Sequence, residues 1–136
     1  MTVSGVIARD LKVMPDDRGD VKHMMKATDE AFSQFGEIYF SSVLPGKVKA
    51  WRRNKTTTVN LAVVTGNVRL VVYDGENSEE FFIGEKNHQL VSIPPDVWRG
   101  FTAVGEEMAV IANLMDHPYD PDDLESVDSD SLIDCW

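Results

Sequence analysis

Short β-rich segments recur along most of this 136-residue chain, and their spacing restricts its fold more than any other feature. From residue 37 onward, runs rich in Val, Ile, Phe and Tyr alternate with turn residues, for example at 45–46, 65–66 and 94–95. Many short strands at regular intervals are typical of an all-β sandwich or barrel rather than of a parallel sheet with crossover helices. Eight strands are predicted in this part, at residues 37–44, 47–53, 59–65, 67–74, 80–83, 89–93, 97–103 and 108–114.

The two ends of the chain have weaker patterns. Residues 3–13 and 21–26 alternate loosely and predict two further strands, with a turn at 14–17. Residues 27–35 carry apolar side chains at helical spacing and predict one helical turn. We predict a single domain over residues 1–136, in which residues 116–136 form an irregular tail that packs on the barrel or trails from it.

The formal net charge of −10 is concentrated in that tail. Residues 116–136 hold eight Asp and Glu side chains and no Lys or Arg, so we expect a solvated, partly mobile end. An acidic surface repels phosphates, and a nucleic-acid partner is therefore not expected. No apolar run reaches the roughly 18 residues needed to cross a membrane. The single Cys135 excludes an internal disulfide, and a cytoplasmic location is predicted.

Several segments, taken in chain order, resemble the dTDP-4-dehydrorhamnose 3,5-epimerases and their shorter cupin relatives. Residues 15–19, Pro-Asp-Asp-Arg-Gly, are similar to the Asp-x-Arg-Gly signature of that family. Residues 93–101, Ile-Pro-Pro-Asp-Val-Trp-Arg-Gly-Phe, are similar to its Ile-Pro-Pro-Gly-x-x-His-Gly segment. Further matches lie at 35–39, 45–51, 65–74 and 118–121. The resemblance implies a cupin-type double-stranded β-helix, a jelly-roll barrel, and a homodimer in which strands near the N-terminus cross to the partner.

The same resemblance implies a nucleotide-sugar ligand and a role in cell-surface polysaccharide or deoxysugar biosynthesis. In that family a histidine base removes a proton beside the 4-keto group, and a tyrosine acts as the acid. The base position falls at Arg52 and the tyrosine position near Asn113. Arginine stays protonated and is a poor base. The candidates left for catalysis are Tyr119, the nearest tyrosine further along, and His23, at the position of a family glutamate.

Cupins that bind a metal hold it at positions occupied here by Arg52, Asn54, a residue near Thr58 or Val59, and Arg99. None of these side chains is a serviceable ligand for zinc, iron or manganese. The sequence therefore predicts no metal and no other cofactor.

Positive charge replaces imidazole at these positions. If Arg52 and Arg99 face a common cavity with Asn54, their guanidinium groups suit a carboxylate or phosphate ligand. The alternative is that each arginine reaches solvent or pairs with an acidic side chain. The resemblance adds Arg18 and Lys49 as contacts to the sugar nucleotide, and Asn113 completes the predicted substrate-binding set.

Two functions remain open from the sequence. The first is an epimerase or isomerase that acts on a nucleotide-linked keto-sugar. The second is a non-catalytic cupin that binds a nucleotide sugar or another anion as a sensor or partner subunit. The residues expected to pack rather than react are Trp51, Trp98, Tyr39 and Tyr73.

Overall fold

The computed structural model describes residues 2–136, which form twelve β-strands and no helix. The all-β class is therefore confirmed. No helix in this part of the chain is long and apolar enough to cross a membrane. In chain order the strands are β1 (Ile7–Asp10), β2 (Val13–Asp16), β3 (Gly19–Lys22), β4 (Glu37–Val43), β5 (Val48–Asn54), β6 (Val59–Thr65), β7 (Asn67–Tyr73), β8 (Ser78–Gly84), β9 (Gln89–Ile93), β10 (Trp98–Ala103), β11 (Ala109–Met115) and β12 (Leu124–Ser126).

Ten of these strands form two antiparallel sheets of five. The first sheet has the order β1-β9-β6-β11-β4, and the second has the order β12-β5-β10-β7-β8. The two sheets are not joined into one closed cylinder. Outside the named strand pairs, an isolated bridge connects Pro45, which follows β4, with Ala103 of β10.

The hydrophobic core lies between the two sheets. Alternate side chains of a strand point to opposite faces, so one face of each sheet supplies the core. Val68, Leu70 and Val72 of β7 belong to the same buried cluster as Leu61 and Val63 of β6. This packing holds the two sheets together.

The N-terminal part differs from the prediction. The strand predicted at 3–13 is interrupted, and the chain instead forms β1 and then a separate β2–β3 hairpin with its turn at residues 17–18. The helical turn predicted at 27–35 is wrong, because this segment contains only isolated turns. The Asp29 carboxylate accepts a hydrogen bond from the Lys26 amide at 2.8 Å, and Gly36 donates to the Met115 carbonyl, so the chain is drawn towards β11.

Part of the acidic tail packs on the outer face of the second sheet, while most of its acidic side chains stay exposed. Strand β12 pairs with β5, and the Trp136 ring lies 5.3 Å from the Trp51 ring. A side chain at Gly100 would come within 2.8 Å of Trp136, so the glycine leaves room for this contact. Three apolar side chains of the tail pack against Trp51 and Trp98: Leu132, Ile133 and Trp136. They were overlooked because the segment was judged by its acidic residues.

Replacing Trp136 by alanine should lower the free energy of unfolding by about 1–3 kcal/mol, because a partly buried aromatic ring loses its contacts. Chemical denaturation measures this change. The matched control is Phe82→Ala, since Phe82 is an exposed aromatic residue on edge strand β8, and it should change the value by less than about 0.5 kcal/mol. Equal values for the two variants would contradict the packed tail.

Candidate functional site

A cavity of about 360 Å³ opens between the two sheets. This volume lies in the range of sites for small molecules. One wall comes from β4, β6 and β11, and the other comes from β5 and β10, with two residues of the tail at the edge. The lining residues are Tyr39, Ser41, Val48, Lys49, Ala50, Trp51, Arg52, Leu61, Arg99, Phe101, Ile111, Asn113, Ser126 and Val127.

Four of the predicted substrate-binding residues line this cavity: Lys49, Arg52, Arg99 and Asn113. Arg52 and Arg99 lie directly opposite each other on the adjacent strands β5 and β10. Like charges in that position repel each other, and an anion between them relieves the repulsion. The fifth residue, Asn54, does not line the cavity but holds Arg99 from behind.

Arg99 is a buried cation, with 6% of its surface exposed. Its Nη1 donates a hydrogen bond to Asn54 Oδ1 at 2.9 Å. No Asp or Glu among residues 2–136 forms an ion pair with it. Burial lowers the pKa of Arg99 to about 10, Arg52 lowers it too, and Tyr39 opposes the change. The guanidinium is therefore charged at neutral pH and is held by a neutral acceptor.

Asp123 stands behind Asn54. Its carboxylate accepts hydrogen bonds from Asn54 Nδ2 at 3.1 Å, from the Thr57 hydroxyl at 2.7 Å, and from the amide and hydroxyl of Thr56 at 2.7 Å each. Burial alone would raise the pKa of Asp123, but these donors hold it well below the usual range. The carboxylate is thus ionised and orders residues 54–57.

Acid should weaken this cluster. Because the folded pKa of Asp123 lies below its unfolded value of about 3.9, the stability it adds is present above that pH and is lost as the pH falls through the folded pKa. At pH 7, Asp123→Asn should lower the free energy of unfolding by about 1–3 kcal/mol. Chemical denaturation of both proteins at pH 7 and pH 3 measures this effect. The difference in the free energy of unfolding between Asp123→Asn and the wild type should be smaller at pH 3 than at pH 7. A difference that grows in acid would contradict this account.

Tyr39 is a site residue that the sequence analysis assigned to packing. Its hydroxyl accepts a hydrogen bond from Asn113 Nδ2 at 3.1 Å, and the two residues are paired across β4 and β11. Asn113 Oδ1 is buried and has no hydrogen-bond partner within residues 2–136. The alternation of β4 places Tyr39 and Ser41 on one face, but every strand alternates in this way, so the pattern does not mark Tyr39 as a site residue.

Lys49 supplies the amine of the site. Its Nζ donates to Ser41 Oγ at 2.7 Å and to the Ser42 carbonyl at 3.1 Å, and it lies 5.9 Å from the centre of the Phe101 ring. The residue as a whole is exposed, yet its ammonium is partly desolvated. This burial lowers the pKa of Lys49, and the charge of Arg52 lowers it further.

The other predicted residues do not reach the cavity within this chain. The Arg18 side chain, 85% exposed at the tip of the β2–β3 hairpin, forms an ion pair with Asp16 at 2.9 Å. The Tyr119 residue is 56% exposed, and its amide is bound to Glu37. The backbone of His23 is held by the Lys12 carbonyl and by His88 Nε2, which donates to the His23 carbonyl at 2.7 Å. The two catalytic candidates, Tyr119 and His23, are thus held away from the cavity by backbone contacts.

Donor groups for a metal do not converge in this structure. Residues 2–136 include no group of three or more His, Cys, Asp or Glu side chains that could hold a metal ion. The lack of a metal and of any other cofactor stays a prediction.

Comparison with known proteins identifies the family. The family model described as FdtA: WxcM-like, C-terminal matches residues 4–129. This chain belongs to that family. Among its relatives, the probable low-salt glycan biosynthesis epimerase Agl13 of Haloferax volcanii is 31% identical over 130 residues, which cover 89% of this chain and 83% of that protein.

Solved structures agree with the family assignment. A dTDP sugar isomerase from Desulfovibrio desulfuricans G20 is 39% identical, with a TM-score of 0.92 over 95% of this chain and 87% of that chain. The dTDP-6-deoxy-D-glucose-3,5-epimerase RmlC of Legionella pneumophila, solved with dTDP-4-keto-L-rhamnose, is 20% identical, with a TM-score of 0.80 over 95% of this chain and 76% of that chain. The resemblance and the cupin-type jelly-roll fold predicted for this FdtA/WxcM-like chain are therefore confirmed.

The relatives named here are sugar epimerases and isomerases, as the resemblance implied.

Proposed function

We propose that this protein is an epimerase or isomerase that acts on a dTDP-linked keto-sugar held in the cavity between the two sheets. The observation that carries this proposal is the cationic lining: Lys49, Arg52 and Arg99 converge on one cavity, together with the Tyr39 hydroxyl. The family supports the substrate class, since its relatives include a dTDP sugar isomerase and a glycan biosynthesis epimerase.

The charges divide the cavity into two parts. Arg52 is exposed and suits the diphosphate, which arrives with solvent around it. Arg99 is buried and suits the sugar carbonyl, because removal of a neighbouring proton places negative charge on that oxygen. A preorganised cation at that position stabilises the enolate.

The proton itself needs a base that is not an arginine, because arginine cannot be deprotonated in proteins. Lys49 fits this role, since its lowered pKa increases the fraction that is neutral and able to accept a proton. Tyr39, with its hydroxyl beside Asn113, fits the role of the acid that returns a proton.

The experiment is proton exchange in deuterated water. The purified protein with dTDP-4-keto-L-rhamnose should replace hydrogens beside the keto group by deuterium, which NMR detects. The control is the same sugar nucleotide without protein. No exchange above this background at high protein concentration would refute the catalytic proposal.

A second function, binding without catalysis, is favoured by one observation. The facing arginines Arg52 and Arg99 bind anions well but are poor bases. A sensor or partner subunit would bind dTDP, and the melting temperature of the protein would rise when dTDP is added. Such a protein would catalyse no exchange. The two outcomes of the exchange experiment therefore separate the two functions.

We also propose that the protein is a homodimer. The β2–β3 hairpin pairs with neither five-stranded sheet, and an isolated two-stranded hairpin is marginally stable. Its apolar side chains Val13, Met14 and Val21 are exposed, which suits contact with a second copy. Dimer contact would also give Arg18 a route to the partner's cavity. A cytoplasmic location belongs to the same proposal, and cell fractionation tests it.

Sedimentation velocity tests the dimer. The wild type should sediment as a dimer, and Val21→Glu should give a monomer, because a charge cannot be buried cheaply at an apolar contact. Phe82→Glu is the control, since Phe82 is equally apolar and exposed on β8. A monomeric wild type, or equal dissociation in the two variants, would contradict this interface.

A further inference from the structure

We propose that Asp123 is a positioning residue: it fixes which end of the Asn54 amide faces Arg99, and so sets the direction of the Arg99 guanidinium in the cavity. The positioning of Arg99 by Asp123 does not depend on the proposed function. Only the identity of the ligand that Arg99 binds rests on it. Asp123 lies in the acidic tail and is not among the site residues predicted from the sequence.

The fold brings Asp123 to this point through β12. Leu124 is paired with Asn54 where β12 joins β5, and the Lys55 amide donates to the Asp123 carbonyl at 2.8 Å. The Asp123 side chain then accepts hydrogen bonds from Asn54, Thr56 and Thr57. Asp123 is therefore held by both its backbone and its side chain.

The direction of the Asn54 amide follows from its two neighbours. An ionised carboxylate only accepts hydrogen bonds, so the NH₂ end of Asn54 must face Asp123. A guanidinium only donates, so the oxygen end must face Arg99. A flipped amide would set two donors against each other at Arg99 and two acceptors against each other at Asp123.

The Asn54 amide lies between the charges of Asp123 and Arg99 and also affects how Arg99 can bind a ligand. A carboxylate in direct contact with Arg99 would take two N–H groups in a bidentate pair. The Asn54 oxygen takes one of the five N–H donors of the guanidinium. Arg99 lines the cavity, where its other N–H groups can meet the Tyr39 hydroxyl and a ligand oxygen, while the guanidinium keeps a fixed orientation.

The test is a pair of variants that breaks and restores this alternation. In Asp123→Asn, the Thr56 amide still requires an oxygen at residue 123, so the new NH₂ group faces the NH₂ group of Asn54. The Asn54 amide then lies between two donors, residue 123 and Arg99, and loses its fixed direction. The double variant N54D/D123N restores the order, because Asp at 54 accepts from Arg99 and Asn at 123 donates to it. Thr57→Val is the matched control, since it removes a hydrogen bond to Asp123 without changing the donor that faces Arg99.

The first readout needs no ligand. NMR of the guanidinium nitrogens of Arg99 should show restricted rotation in the wild type, in N54D/D123N and in Thr57→Val, and averaged signals in D123N. A merely structural role of Asp123 would lower the melting temperature of D123N and leave these signals unchanged. Unchanged Arg99 signals in D123N would overturn the inference.

The second readout is the exchange reaction with dTDP-4-keto-L-rhamnose. D123N should lower kcat/KM by about tenfold or more, and N54D/D123N should recover only part of this loss, because a carboxylate at 54 takes two N–H groups of Arg99 where the amide takes one. A D123N variant as active as Thr57→Val would also overturn the inference. If the wild type shows no exchange while the NMR pattern holds, the proposed function fails and the positioning role stands.

Discussion

Lys49→Met should slow deuterium exchange into dTDP-4-keto-L-rhamnose by about 10²–10⁴-fold, which is the usual contribution of a general base. The loss should fall on kcat more than on KM, because methionine keeps the length of the side chain and removes the group that takes the proton. In the wild type the rate should rise with pH towards the pKa of Lys49, which burial and Arg52 hold below 10.5. NMR measures the exchange rate over this range.

The control for this variant is Lys47→Met. Lys47 lies two residues earlier, is exposed and does not line the cavity, so its removal should leave the exchange rate within about threefold. If Lys49→Met keeps the wild-type rate and pH profile, Lys49 is not the base, and the proton must pass to another lining group, of which Tyr39 is the first to test.

Arg99→Met should lower the exchange rate by about 10²–10³-fold, because the donor that meets the developing oxyanion is lost. Stability should respond differently. Methionine removes a buried charge that has no ion-pair partner among residues 2–136, and this gain offsets the cost of leaving Asn54 Oδ1 unpaired. The free energy of unfolding should therefore stay within about 2 kcal/mol of the wild-type value.

Arg53→Met is the matched control for Arg99→Met. Arg53 lies on β5 but outside the cavity lining, where its guanidinium is 4.4 Å from the centre of the Trp98 ring and pairs with Glu125 at 3.2 Å. Its exchange rate should remain within about threefold of the wild type. An Arg99 variant with full activity would contradict the proposed role of Arg99, and one that is inactive only because it unfolds would be revealed by the denaturation curve.

The fold was predictable where strands are short, apolar and bounded by turns. The strand predicted at 59–65 coincides with β6 (Val59–Thr65), and that predicted at 37–44 agrees with β4 (Glu37–Val43) to one residue. The prediction failed at 27–35, where apolar spacing alone suggested a helix. There, hydrogen bonds from the Gln34 side chain to the Asp116 carbonyl and from the adjoining Gly36 amide to the Met115 carbonyl outweigh a weak local preference.

The candidate site was predictable only in part. Four cationic or amide positions on β5, β10 and β11 were found because they align with functional positions of a resembling family. Tyr39 and Asp123 were missed. Tyr39 has the pattern of an ordinary strand residue, and Asp123 is one of eight acidic residues in a segment without strand periodicity.

The sequence by itself determined the all-β class, most strand positions and the replacement of imidazole by guanidinium, because alternation, turn residues and motif order are local properties of the chain. Only the tertiary structure decided which polar groups meet. Tyr39 and Asn113 are 74 residues apart, and Asn54 and Asp123 are 69 apart, so their contacts arise from the pairing of distant strands. The direction of the Asn54 amide depends on a donor on one side and an acceptor on the other, and no local pattern records such a pair.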